Sequence, residues 1–137
     1  MILMDTGPLV AFFDRSDAWH HNCLDILKEV KGPLVSVWPV LTEAFYLLSF
    51  SWQAQAALWN FLIRGGVRID HLDNDCLMRC RDLMQKYRDL PMDIADAALC
   101  VLAEATKTTT VFTLDHKDFR VYQPAHISRF ELIPDRI

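Results

Sequence analysis

The amino-acid sequence predicts an α/β fold, a three-layer α/β/α sandwich around a mostly parallel sheet. Three observations carry that prediction. Short apolar runs of strand length, at residues 1–4, 34–37 and 109–114, stop at Gly, Pro or Asp. Longer stretches with helical apolar spacing lie between them, and strand–helix–strand order gives βαβ units whose crossovers cover both faces of a sheet. Finally, 137 residues with 52% apolar and 23% charged content suit one globular domain, read as residues 1–137.

Taken in order, residues 1–4 read as a buried strand ending in a turn at Asp5, Thr6, Gly7 and Pro8. A helix over residues 17–30 follows, with Asp17 as its cap and Cys23, Ile26, Leu27 and Val30 at helical spacing. Gly32 and Pro33 end it before the second strand at 34–37. Pro39 suits the first turn of a helix that carries Val40, Glu43, Ala44 and Leu47. Another helix fits 52–63, stopped by Gly65 and Gly66, and a third strand fits 67–72. Asn74 caps a helix to about Tyr87, and Leu90-Pro91 breaks the chain before a helix over 93–105. Residues 109–114 are β-branched and aromatic and form the clearest strand, stopped at Asp115. Residues 130–133 close the sheet.

Fourteen basic against eighteen acidic residues leave a net charge of −4, which argues against binding nucleic acid by bulk charge. An enzyme that acts on nucleic acid through a metal remains open. The four cysteines lack the spacing of a zinc site, so they read as plain thiols in a reducing compartment. With no signal peptide and no membrane-length apolar run, a cytoplasmic location is expected.

Function in an open parallel sheet gathers beyond the carboxyl ends of its strands. Asp5 follows the first strand and Asp115 the 109–114 strand, Glu43 sits early in the helix after the second, and Asp93 and Asp96 share one face at a helix start. Each has a structural reading too: Asp93 as a cap with Asp96 its partner, Asp5 as a turn residue, Asp115 as the cap of 116–119. Glu43 lies on a partly buried face, where a carboxylate needs a partner. Together such acids repel one another, and a divalent cation relieves the repulsion. Oxygen-only donors select Mg²⁺ or Mn²⁺ over zinc. That cation suits phosphodiester hydrolysis, and the chain has neither a GxSxG elbow nor a GxxxxGK loop.

Four segments carry a resemblance that spans essentially the whole chain. They are Met4-Asp-Thr-Gly-Pro-Leu-Val-Ala-Phe-Phe-Asp, Leu41-Thr-Glu-Ala-Phe, Leu90-Pro-Met-Asp-Ile-Ala-Asp-Ala-Ala-Leu and Val111-Phe-Thr-Leu-Asp-His-Lys-Asp-Phe. In order and spacing they resemble PIN-domain ribonucleases, most of all the VapC toxins of toxin–antitoxin pairs. The resemblance implies a metal-dependent endoribonuclease, usually dimeric, that acts on RNA and is held in check by a small antitoxin over its acidic cleft. It places the acidic set on Asp5, Glu43, Asp96 and Asp115, with Asp5 and Asp96 as principal metal ligands and Asp93 as an additional acid. Thr6 and Thr113 match the polar residues beside the site. The alternatives are a non-catalytic PIN-like binding module and a metal-dependent hydrolase of other phosphoesters.

Lys117 and Arg120, just after Asp115, are candidates for substrate phosphates. Arg79, Arg81, Lys86 and Arg88 read as a solvated helix face balanced by Asp82 and Asp89, or as a phosphate track. His20 and His21 read as surface residues. Phe12, Phe13, Phe45, Tyr46, Trp52 and Trp59 belong by default to the core, and any left uncovered would mark an interface.

Overall fold

A computed structural model describes residues 1–137. Five strands, β1 (Ile2–Met4), β2 (Leu34–Ser36), β3 (Arg68–Ile69), β4 (Thr110–Phe112) and β5 (Glu131–Ile133), form one sheet in the order β3-β2-β1-β4-β5. Every pairing is parallel. The chain builds outward from β1 to β2 and β3, then crosses back to lay β4 on the other side. The switch between β1 and β4 is where such a sheet opens a crevice at its carboxyl edge.

The helices are α1 (Thr6–Phe13), α2 (His20–Glu29), α3 (Trp38–Leu47), α4 (Trp52–Ile63), α5 (Leu77–Lys86), α6 (Ile94–Thr106) and α7 (His116–Phe119), with a 3₁₀ turn at Asn74–Cys76 before α5. Helix α1 packs on α2, α3 and α4, while α6 packs on α3 and α5. Nine consecutive residues of α6, Ala95 to Ala103, are buried, and its alanines let neighbouring backbones approach closely. They join Leu3, Met4, Val35, Val111 and Phe112 of the sheet in one apolar core. No helix is long and apolar enough to cross a membrane.

Several expectations need correction. Thr6, Gly7 and Pro8 are not a turn but the first turn of α1, where proline's missing N–H has no intrahelical partner to lose. Asp17 does not cap α2; it accepts from the Trp19 N–H at 2.8 Å, one turn before the helix begins. The strands are two or three residues long, shorter than the apolar runs suggest. The sequence around Asn74 starts with a 3₁₀ turn capped by Asp73.

Candidate metal centre

Beyond the β1–β4 switch lies an open pocket of about 490 Å³. Six carboxylates line it: Asp5, Glu43, Asp93, Asp96, Asp115 and Asp118. No lysine, arginine or histidine lines it, and the ion pairs of the molecule all lie elsewhere. A larger groove, about 640 Å³, runs between α1, α2 and α4, but Asp14 is its one acid. The chemistry therefore concentrates in the smaller pocket.

Asp5 sits at the joint of β1 and α1. Its N–H extends the sheet to the Phe112 carbonyl at 3.0 Å, and its side chain makes no capping bond to α1. Instead Asp5 Oδ2 accepts from Thr113 Oγ1 at 2.6 Å, and Thr113 Oγ1 in turn accepts from the Asp115 N–H at 2.9 Å. One hydroxyl thus ties the acid after β1 to the acid after β4. Burial pushes the Asp5 carboxyl up from 3.8 to about 6, against the opposing pull of Thr113. Gly7 allows the close approach here, since a Cβ on it would lie 3.3 Å from Leu114 Cβ.

Asp96 occupies the first turn of α6. Its N–H donates to Asp93 Oδ1 at 2.8 Å, and its own Oδ2 accepts from the Tyr122 hydroxyl at 2.7 Å. Burial first, then the Asp5 charge, raise its carboxyl from 3.8 to about 8. Glu43 is half-buried on α3, and burial together with Asp93 raises it too. The Thr6 hydroxyl lies buried on the pocket wall with no well-formed hydrogen bond, and its nearness favours the ionised form of Glu43. Asp115 caps α7 by accepting from the Asp118 N–H at 3.2 Å. One oxygen each of Asp96, Asp115 and Asp118 lie within 4.8 Å of one another.

The capping readings of Asp93 and Asp115 are thus correct, and both acids still line the pocket. Asp118 and Tyr122 are additions. Asp118 stands three residues after Asp115 at a helix start, the same spacing that drew attention to Asp93 and Asp96. Tyr122 carries no signal at all, because its partner is 26 residues away. Lys117 and Arg120 are exposed and do not line the pocket. Nor do the basic residues of α5 and of the turn after it form a phosphate track to it. Arg79 clasps Glu104 of α6 through two bonds of 2.8 and 2.7 Å, Arg81 pairs with Asp82, Arg88 bonds the Gln85 carbonyl, and Lys86 lies over the Tyr87 ring. His116 is buried outside the lining residues.

Two buried acids with raised proton affinity and no neutralising side chain fit a cation of two charges, and an oxygen-only donor set fits a hard one. The fold and the pocket at its switch point define a parallel α/β protein with an acidic crevice compatible with a divalent cation. The chain belongs to the PIN-domain family, whose model matches residues 2–123. It is similar to Ribonuclease VapC26 of Mycobacterium tuberculosis, 29% identical over 135 residues that cover 97% of this chain and all of that protein. Among solved structures it matches Mycobacterium tuberculosis VapC20, described as a Sarcin-Ricin loop cleaving toxin, with a TM-score of 0.73 at 17% identity over 81% and 87% of the two chains. It also matches VapBC2 of Rickettsia felis bound to a DNA fragment from its promoter, at a TM-score of 0.64 and 23% identity over 96% and 98%.

Proposed function

We propose that the chain, as a single domain over residues 1–137, is a metal-dependent endoribonuclease and the toxin of a toxin–antitoxin pair. The observation that carries this is the complete acid set in one pocket without a basic side chain. Asp5 and Asp96 are the principal ligands of Mg²⁺ or Mn²⁺; Glu43 and Asp115 help hold the cation and position the attacking water. Asp118 offers a further oxygen close to those of Asp96 and Asp115. Asp93 serves mainly to cap α6, and its charge adds to the field at the pocket. Thr113 holds Asp5, and Thr6 flanks Glu43. Such a cation, when bound, lowers the pKa of water and stabilises charge on a phosphoryl oxygen. Lys117 on α7 and Arg120 at its end, both exposed, meet substrate phosphates outside the pocket proper.

The partners are RNA, a second copy of the chain, and a small antitoxin with a basic side chain over the six carboxylates. A cytoplasmic location goes with this reading. The test is titration of Mn²⁺ into wild type and Asp96→Asn by calorimetry, followed by cleavage of a mixed RNA pool. Saturable binding and chelator-sensitive cleavage are expected in wild type, and both are lost in the variant. Binding without cleavage would move the substrate to another phosphoester. Folded wild type that binds no cation would leave a non-catalytic binding module.

A further inference from the structure

Asp5 and Asp96, the two buried acids of the pocket, are each held by a hydroxyl that does not itself line it. For Asp96 that hydroxyl belongs to Tyr122, three residues beyond the end of α7. To hold a cation Asp96 must be ionised, and an ionised carboxylate can only accept, so in that state the phenol donates across the 2.7 Å separation and the bond is charge-assisted. Tyr122 is fully buried, with its ring packed edge-on by Tyr87 and Phe119 at centroid distances of 5.1 and 5.2 Å. Its N–H donates to the Asp118 carbonyl at 3.2 Å. The next residue is pinned as well, because the Gln123 N–H donates to the Tyr87 hydroxyl at 2.8 Å. The phenol is therefore aimed before any ligand arrives. It engages one oxygen of Asp96, while that carboxylate still lies within 4.8 Å of Asp115 and Asp118.

We propose that Tyr122 is a positioning residue for the cation site, its hydroxyl fixing the Asp96 carboxylate so that the second oxygen is presented to the pocket. The proposal rests on the reading of that pocket as a cation site. Packing of the ring would be satisfied equally by phenylalanine; the hydroxyl is what orients the acid. Groups that hold a metal ligand in place typically account for about 10–100-fold in metal affinity.

Tyr122→Phe keeps the ring and removes one oxygen. Calorimetric titration of Mn²⁺ into wild type, Tyr122→Phe and Tyr46→Phe tests it, since Tyr46 is exposed and serves as the control. The expected result is affinity about tenfold weaker or more in Tyr122→Phe alone, with kcat for RNA cleavage reduced and KM for RNA held. Wild type carrying 3-fluorotyrosine at its three tyrosines gives a second readout. The Tyr122 fluorine resonance, assigned with Tyr46→Phe and Tyr87→Phe, is expected to shift on Mg²⁺ addition while that of Tyr46 stays in place. Wild type that takes up no Mn²⁺ brings down the proposed function and this inference with it. Wild type that binds, beside a Tyr122→Phe that binds equally well, overturns the role of Tyr122 alone. Should the variant not fold, an unmoved fluorine resonance in cation-bound wild type overturns it.

Discussion

Asp96 and Asp5 set the behaviour of the pocket because both pay for burial with raised proton affinity, to about 8 and about 6. Without metal the folded chain holds these protons more tightly than an unfolded chain, whose carboxyls titrate near 3.8. The stabilisation is fully present below pH 3.8 and is lost as pH rises through about 6 for Asp5 and about 8 for Asp96. In chelator, the melting temperature of wild type is therefore expected to fall, relative to Asp96→Asn, between pH 5 and pH 9. Excess Mg²⁺ is expected to flatten that difference, since the cation replaces the proton as partner. Scanning fluorimetry across this range checks it, and parallel curves for the two proteins in chelator would contradict the raised Asp96. At this scale the acids were legible because residue type and place at a strand end suffice to suspect them. Asp118 was not singled out, although it carries the same i,i+3 spacing that revealed Asp93 and Asp96. Tyr122 was not legible, because a lone tyrosine becomes a partner of Asp96 only through the packing of α6 against the segment after α7.

Among the elements, α6 shows most plainly how one residue serves both fold and site. Asp93 spends Oδ1 on the Asp96 N–H, which caps the helix and steadies the turn that carries Asp96. Asn caps about as well as Asp, whereas Ala costs about 1 kcal/mol. Asp93→Asn is thus expected to melt close to wild type and to weaken Mn²⁺ binding far less than Asp96→Asn; Asp93→Ala is expected to lower the melting temperature. Thermal melts with parallel calorimetry decide it, and an Asp93→Asn as poor in binding as Asp96→Asn would make Asp93 a ligand. The order of helices and strands could be read from periodicity, save for α1. There Thr6, Gly7 and Pro8 carry the composition of a turn, and the helix they open is fixed by packing on α2, α3 and α4. Strand ends were overextended because apolar character continues past the last ladder bond, as at Leu114 after β4. Arg79 looked like a solvated or phosphate-facing residue because nothing in the sequence brings Glu104, 25 positions on, against it.

For the molecule as a whole, the sheet order gathers the acids at one edge and leaves an apolar face at another. Tyr46, Phe50, Trp52 and Ile63 are each at least 66% exposed along α3, α4 and the turn between them. Trp59, stacked on Phe45 at 4.5 Å, is 41% exposed on the same helix as Trp52. Core packing therefore absorbs Phe12, Phe13 and Phe45 but leaves Tyr46, Trp52 and Trp59 in contact with solvent, a candidate interface. Phe50 also lines the groove between α1, α2 and α4, so patch and groove are continuous. In the function proposed above, this face is where an amphipathic antitoxin helix would lay its apolar side. Because Phe50 and Trp52 are exposed, Phe50→Ser with Trp52→Gln is expected to leave the melting temperature nearly unchanged, as surface substitutions usually shift stability by about 0.5 kcal/mol or less. Co-expression with the small protein encoded beside this chain, where one is present, is the measurement. Wild type is expected to co-elute with it and to cleave RNA only after its removal, whereas the double variant elutes alone and cleaves unchecked. A double variant that is captured and inhibited like wild type would take the antitoxin off this face.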